Sequence, residues 1–343
     1  MRQAGIIIIL VAVLLGVPPI YRCCTTAMKD AALIPADFSA LWVTAAKTYL
    51  YGEANLGNKD IRLELGGYGE SQAGSEDYNI FKKFSGMERS YEGPLPWEKD
   101  PQFLSAIKKY NTPVLMAAYK ASLPDPIKAE GYNIGLAAEQ LAGQVVQPGE
   151  IFSQNKSIGP YTEYRGYQAG PTYAGNQLVT TVGGGVCKIA SMLYNVVTFS
   201  DLKVIMRDSH SMTVPYVPPG QDATVYYGAR DFRFMNNTQG PVVIWSQKVD
   251  CTLYMALYGC QKPPKVTWHH VIKKRIKYWT EYRYNPNLPP GGEKVTAPGQ
   301  DGYVVRSWVT VETPDGMVTS KKKGTSWYNA SPRVIERGPR KPQ

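Results

Sequence analysis

In the middle part of the chain, the spacing of apolar positions predicts two helices and then a series of short strands. Residues 133–141 have apolar side chains at helical spacing, and Ala142-Gly143 is a stop signal for that helix. A second helical run begins at or just before Cys187. Its apolar positions are Ile189, Met192, Leu193, Val196 and Val197.

Short apolar segments at intervals of about ten residues follow the second helix, a pattern typical of an antiparallel sheet. They span residues 202–206, 222–228, 231–236, 241–245 and 251–257. The pattern predicts an α+β fold, in which an antiparallel, β-rich catalytic domain includes a helix that contains the cysteine.

The two ends of the chain differ from this middle part in composition. We divide the chain into a signal or anchor segment (residues 1–27), a lead-in region (28–128), the α+β domain (129–260) and a C-terminal module (261–343). The first segment has an uncharged apolar stretch of about 14 residues after Arg2, which suits export better than a full membrane span of about 20. The sequence therefore predicts an extracytoplasmic protein, either secreted or anchored to the cell membrane.

The lead-in region contains no chemical motif. Residues 37–50 have helical spacing, and Asp100-Pro101 predicts the start of another helix that ends before Pro113. We interpret residues 28–128 as a small helical lead-in or a partly ordered spacer.

The C-terminal module has the whole of the basic excess. The net charge is +10, and residues 262–343 contain 16 Lys or Arg against six Asp or Glu. Alternating residues on both sides of residues 313–316 predict a hairpin in a small all-β module. An exported basic module suggests anionic wall polymers or lipid headgroups as partners, and no nucleic acid is expected.

The candidate chemistry lies at the start of the second helix. Three glycines, Gly183 to Gly185, precede Cys187, and the free N–H groups and positive dipole end of a helix favour a thiolate. A buried structural cysteine beside a tight turn is the alternative interpretation. The Gly184, Gly185 and Cys187 N–H groups are candidate oxyanion donors, and Ser191 either reaches towards the cysteine or bonds its own backbone.

A thiolate nucleophile needs a base, and the chain has only three histidines. His269 and His270 are adjacent in the basic module, whereas His210 follows Cys187 after one helix and one strand. Elimination therefore favours Cys187 and His210 as the pair. Either Asp208 or Asp222 would orient the imidazole, and spacing does not choose between them.

Arg207 has two interpretations, a bidentate contact to a substrate carboxylate and a structural salt bridge.

The sequence lacks the spacing of a zinc site and the Gly-Lys-Ser/Thr ending of a phosphate loop, so no metal or cofactor is predicted. Cys251 and Cys260 flank a predicted strand about 30 Å long and are not expected to form a disulfide.

Residues 129–260 resemble the VanW domain, because several short motifs occur in the same order as in that domain. They include 133–138, 148–153, Gly-Gly-Gly-Val-Cys at 183–187, Arg-Asp-Ser-His-Ser at 207–211, 216–225 and 231–236. The tail resembles the glycine-rich extracellular β module that often follows this domain.

The resemblance implies a peptidoglycan L,D-transpeptidase, because some family members use the cysteine of this motif on wall stem peptides. Cys187 would form an acyl-enzyme, and His210 would activate the thiol and then the acceptor amine, giving a 3-3 cross-link. Lys188 departs from the Gln that is usual in the family. The alternatives are a wall endo- or carboxypeptidase with the same Cys/His pair and a non-catalytic cell-wall or glycopeptide-binding protein.

Overall fold

A computed structural model gives the structure of residues 79–123, 127–174 and 177–341. The predicted export segment and the predicted helix at 37–50 lie outside these described residues. Among the described residues, no helix is both long and apolar enough to cross a membrane.

A four-stranded antiparallel sheet forms the centre of the α+β part. Its order is β1 (Val114–Ser122), β9 (Thr252–Gly259), β8 (Val242–Val249) and β2 (Val145–Val146). β8 and β9 form a hairpin whose turn contains Asp250 at φ 48°. These two strands confirm the predicted segments at 241–245 and 251–257.

In the part of the chain that the structure describes, five α-helices accompany this sheet. They are α1 (Asn79–Lys82), α2 (Pro101–Tyr110), α3 (Lys128–Leu141), α4 (Gln154–Ile158) and α5 (Cys187–Phe199). The Asp100 side chain caps α2 by accepting the N–H groups of Gln102 and Phe103. The apolar faces of α3 and α5 are buried against β8 and β1, so the two helices predicted from spacing cover the sheet.

Two smaller sheets position the loops around α5. One is a three-stranded sheet in the order β3 (Ile151–Ser153), β7 (Arg233–Met235) and β6 (Lys203–Met206). The other is the antiparallel hairpin of β4 (Ala169–Ala174) and β5 (Gln177–Val182). The end of β5 is followed directly by the glycines that precede Cys187.

The C-terminal part contains two three-stranded sheets, in agreement with the predicted β-rich module. One has the order β10 (Lys265–Ile276), β13 (Gly302–Glu312) and β14 (Val318–Tyr328). The other has the order β11 (Thr280–Tyr284), β15 (Ser331–Arg337) and β12 (Glu293–Gln300), with β11 and β15 parallel. The predicted hairpin at 313–316 joins β13 and β14.

Two sequence interpretations need correction. β1 precedes the predicted boundary at residue 129 but pairs with β9 from Val114↔Gly259 to Ser122↔Thr252, so residues 114–122 belong to the central sheet and are not a spacer. The predicted strand at 222–228 is wrong. That segment forms only isolated bridges at Thr224 and Tyr226, because its polar groups bond to α5 and to residues 207–210 instead of a neighbouring strand.

Candidate functional site

The glycine loop places Cys187 at the first residue of α5. A Cβ atom added to Gly184 would lie 2.3 Å from the Gly170 carbonyl carbon, so only glycine allows the loop to pack this closely on β4. Gly185 has φ 106°, a conformation that glycine adopts easily. The thiol of Cys187 is free and partly exposed at the N-terminus of the helix.

His210 lies beside this thiol. It is buried in the segment after β6, and its side chain is hydrogen-bonded to that of Cys187. The His210 Nδ1 atom lies 2.7 Å from Oδ2 of Asp222, which leaves Nε2 for the sulfur. The structure therefore brings together the cysteine and the histidine that elimination selects.

Asp222, not Asp208, contacts the imidazole. Asp222 is fully buried and accepts the His210 backbone N–H at 2.7 Å in addition to the Nδ1 contact. Asp208 is exposed, and its carbonyl accepts the Thr224 N–H at 2.9 Å. Of the two aspartates that the sequence leaves open, Asp222 is therefore the one that orients the imidazole of His210.

Arg207 binds the other side of the Asp222 carboxylate. Its Nη2 atom lies 2.9 Å from Asp222 Oδ1, and its Nε donates to the Asp222 carbonyl at 2.6 Å. The guanidinium also lies over the ring of Tyr194 at 5.0 Å. Of the two interpretations of Arg207, the structure supports the internal salt bridge, because the guanidinium is bonded to both the carboxylate and the carbonyl of Asp222.

These contacts shift three pKa values in a consistent way. Burial raises the pKa of Asp222, but Arg207 and the His210 hydrogen bonds outweigh it and hold that pKa well below its usual range. Burial lowers the pKa of His210, but the hydrogen bonds to Asp222 and Cys187 outweigh it and raise it to about 9. Burial raises the pKa of Cys187, but His210, Thr224 and the Val225 backbone outweigh it and lower it. The arrangement favours a thiolate–imidazolium pair.

Thr224 and Val225 are site residues that sequence reasoning missed. The sulfur of Cys187 lies 3.3 Å from Thr224 Oγ1, and it accepts the Val225 N–H at 3.5 Å. Thr224 follows Asp222 by two residues, and in an extended segment such residues share a face. That two-residue spacing from Asp222 is the signal in the sequence that could have indicated Thr224.

Ser191 positions the segment after Asp222. Its hydroxyl accepts the Ala223 N–H at 2.9 Å, and it lies 3.1 Å from the carbonyls of both Cys187 and Ala223. It therefore bonds its own helix backbone, as one interpretation expects, and also fixes the residues next to Asp222. In this position Ser191 contacts the cysteine backbone and not the thiol.

The two glycine candidates for oxyanion donors have different surroundings. The Gly184 N–H donates to the Thr181 carbonyl at 3.1 Å, and the Gly184 carbonyl accepts from Asn133 Nδ2 at 3.0 Å. The prediction for Gly184 is therefore corrected, because its N–H already has an acceptor. Gly185 borders the cavity beside Cys187 and remains a candidate donor.

A cavity of about 330 Å³ lies in front of the thiol. Cys187, His210, Thr224, Tyr216 and Arg230 are among the residues that line it. Lys188 and Glu130 form a salt bridge on its wall, and the Lys188 ammonium lies 5.3 Å from the Tyr216 ring centroid. Lys188 is thus neutralised by Glu130, and the pKa shift of the thiol comes from the other contacts.

Among the described residues, no group of three His, Cys, Asp or Glu side chains is arranged to bind a metal ion. Cys251 and Cys260 are free and exposed at the two ends of β9, in agreement with the expectation that they do not pair. The fold and the site together define a β-rich protein with a thiol, an imidazole and a buried carboxylate aligned at a cavity.

Comparison with known proteins identifies the family. Residues 129–258 match the family model described as VanW like protein, and residues 269–340 match the G5 domain. The uncharacterized protein YoaR of Bacillus subtilis is 32% identical over 209 residues, or 58% of this chain and 69% of that protein. The chain belongs to the VanW family, as its motifs predict, and has a G5 domain at its C-terminus.

A second relative and two solved structures are also similar. The vancomycin B-type resistance protein VanW of Enterococcus faecalis is 32% identical over 155 residues, which are 44% of this chain and 56% of that protein. An IgA1 protease G5 domain structure is 25% identical and covers 24% of this chain and 100% of that chain, with a TM-score of 0.16. The HP0197-G5 structure is 22% identical over 21% of this chain and 95% of its own length, with a TM-score of 0.14.

Proposed function

We propose that this protein is a cysteine-dependent peptidoglycan L,D-transpeptidase that forms 3-3 cross-links. The observation that supports the proposal most is the series of contacts from Cys187 to His210 to Asp222, in which Cys187 and His210 line the cavity and Asp222 is buried behind them. Acyl transfer requires a nucleophile, a proton carrier and a group that orients this carrier, and the three side chains suit these roles. Membership of the VanW family and the name of the vancomycin-resistance relative favour a wall peptide as the substrate.

The first half of the proposed reaction is acylation of the cysteine. The Cys187 thiolate attacks the carbonyl carbon of the L,D bond in a tetrapeptide stem, and the carbonyl oxygen becomes an oxyanion. The His210 imidazolium gives its proton to the amine of the terminal D-alanine as the C–N bond breaks. The products are a thioester on Cys187, neutral His210 and free D-alanine, so the protons balance.

The second half transfers the acyl group. The side-chain amine of a neighbouring stem attacks the thioester carbonyl and passes a proton to His210, and the C–S bond breaks to restore the thiolate–imidazolium pair. The His210 pKa of about 9 suits the protonated state that begins each cycle. Thr224 Oγ1 and the Val225 N–H contact the sulfur and stabilise its charge between cycles.

Purified tetrapeptide muropeptides provide the test. We expect Cys187→Ala and His210→Ala to abolish 3-3 dimers, measured by mass spectrometry of the reaction products. Cys251→Ala is the matched control, because Cys251 is a free and exposed cysteine outside the cavity. Dimers that persist in the Cys187→Ala protein would contradict the proposal, and shortened stems without dimers would show that water is the acceptor.

The G5 domain and the basic C-terminal sequence support a proposed location at the cell wall. Residues 262–343 have an excess of ten basic residues over acidic residues, and their strands place Lys273, Lys274 and Lys322 at the surface. We expect this module to bind anionic wall polymers or lipid headgroups, with residues 1–27 as the export signal or anchor. Cosedimentation with purified wall material should weaken as salt rises, and binding insensitive to salt would contradict an electrostatic contact.

A further inference from the structure

The last residue of β14 reaches the buried carboxylate of the site. Tyr328, in the C-terminal module, donates its hydroxyl hydrogen to Asp222 Oδ1 at 2.5 Å. The same hydroxyl oxygen accepts the Gly220 N–H at 2.6 Å. The ring of Tyr328 is 1% exposed, so no solvent competes for these bonds.

A second residue of β14 contacts the same network. Ser326 Oγ lies 2.9 Å from Nη1 of Arg207, whose Nη2 lies 2.9 Å from Asp222 Oδ1. Tyr328 and Arg207 therefore hold Oδ1, while the two nitrogen donors of His210 hold Oδ2. Each carboxylate oxygen of Asp222 has two donors, and one of the four comes from the C-terminal module.

The packing shows that the contact is built into the fold. Trp268 of β10 and Val309 of β13 belong to the same apolar core as α5, and the rings of Trp268 and Tyr194 meet edge to face at 5.5 Å. The Asn329 N–H also donates to the carbonyl of Ser211, the neighbour of His210, at 2.7 Å. The C-terminal module is thus packed directly behind the site.

From these contacts we infer that Tyr328 is a positioning residue of the reactive site, acting through Asp222 and His210 on Cys187. The inference rests on the proposed function only in taking Cys187 and His210 as the reactive pair. Without the Tyr328 hydroxyl, Oδ1 keeps only Arg207 and the Gly220 N–H loses its acceptor. The carboxylate then rotates more freely and stabilises the imidazolium less well. The imidazolium therefore lowers the pKa of the Cys187 thiol by less, and that pKa rises.

Tyr328→Phe in the full chain tests this role, because it removes one oxygen and keeps the ring. The readout is the rate of Cys187 alkylation by iodoacetamide from pH 5 to 10, followed by peptide mass spectrometry. We expect the apparent pKa of the thiol to rise by about half a unit or more, with slower alkylation at neutral pH. Tyr284→Phe is the matched control, because Tyr284 is a tyrosine of the same module that is 70% exposed.

A Tyr328→Phe profile that superimposes on the wild-type profile, or that shifts to lower pH, would overturn the inference. Circular dichroism and the melting temperature establish that the variant is folded. If it is not, Ser326→Ala removes the second contact from β14, and the same upward shift is expected at smaller size. No shift in folded Ser326→Ala would then overturn the inference. Alkylation is measured without wall substrate, so the result is independent of whether Cys187→Ala abolishes cross-linking.

Discussion

His210 donates two hydrogen bonds to one oxygen of Asp222, from its backbone N–H and from Nδ1, and both distances are 2.7 Å. The paired contacts fix the backbone and the ring of the histidine at the same time. They also fix the tautomer, because Nδ1 must be protonated to donate to an ionised carboxylate. Nε2 is therefore the atom that exchanges a proton with the Cys187 thiol.

Asp222→Asn should reduce cross-linking activity by at least about 100-fold, because an amide no longer specifies the tautomer or stabilises the imidazolium. It should also lower the free energy of unfolding by about 3 kcal/mol, because buried Arg207 loses its counter-charge. Turnover on muropeptides and urea unfolding measure the two effects.

Asp208→Asn is the matched control for this substitution. Asp208 lies two residues from His210 but is exposed, and it contacts Thr224 through its backbone. We expect both activity and stability to remain close to wild type. An equal loss of activity in the two variants would show that general charge, and not the geometry at Asp222, supports the reaction.

The pH dependence of thiol reactivity should reflect the ion pair. The pKa of Cys187 is lowered, so its alkylation should begin below the pH expected for an isolated thiol with a pKa of about 8.5. In His210→Ala the effect of burial is no longer opposed by the imidazolium, and the alkylation curve should move to higher pH. Rates from pH 5 to 10 measure both curves, and coincident curves would contradict the pairing.

The rate of acylation should fall at alkaline pH, whereas the rate of Cys187 alkylation rises with pH. Acylation needs the His210 imidazolium to protonate the leaving amine, and this group loses its proton as the pH rises through about 9. Single-turnover release of D-alanine should therefore fall above pH 9, although the thiol remains ionised. Release that stays constant to pH 10 would exclude His210 as the acid.

The sequence predicted the elements whose residues are set by local rules. The Asp100 cap and the start of α5 after the glycines follow from nearby residues, and both are present in the structure. The segment at 222–228 could not be assigned in this way, because its partners Ser191, Arg207 and His210 come from other elements. Pattern alone does not reveal such long-range polar contacts.

The same reason explains what the sequence predicted of the site. The scarcity of histidine and the motif around Cys187 were enough to select the pair that the structure brings together. The choice of Asp222 depends on the position of Arg207, and the contact of Tyr328 depends on how the C-terminal module packs. Both are tertiary contacts, because Arg207 lies 15 positions from Asp222 in the sequence and Tyr328 lies 106 positions from it.

Lys188→Gln should move the alkylation curve of Cys187 to higher pH, because it leaves the Glu130 carboxylate without its partner on the cavity wall beside the thiol. It should also change the KM for muropeptides, since Lys188 and Glu130 both line the cavity. Glu130→Gln is the companion variant. In that protein the Lys188 ammonium loses its partner near the thiol, and the alkylation curve should move to lower pH.

An alkylation curve that stays unchanged in both variants would show that the charges of this pair do not affect the sulfur. The two measurements also separate two roles of this pair, because the alkylation curve reports its charge near the thiol and KM reports its contact with the muropeptide. The expected combination is a change of KM in both variants, with the curve moved to higher pH in Lys188→Gln and to lower pH in Glu130→Gln. Alkylation kinetics and steady-state turnover on the same preparations measure it.

Gly184→Ala should disrupt the loop that places the cysteine. The added Cβ would meet the Gly170 carbonyl carbon at 2.3 Å, and neither backbone segment can move without shifting β4 or α5. We expect a loss of about 2 kcal/mol in the free energy of unfolding, together with slower alkylation of Cys187. Urea unfolding and iodoacetamide kinetics measure the two consequences.

Gly135→Ala is the matched control, since it makes the same change where space exists. Gly135 lies inside α3, and the nearest atom to its added Cβ is Cδ of Lys248 at 4.0 Å. Alanine favours a helix interior by about 1 kcal/mol over glycine, so this variant should be more stable than wild type and equally reactive. If Gly184→Ala matched Gly135→Ala in both stability and alkylation rate, close packing of the loop on β4 would not be what positions Cys187.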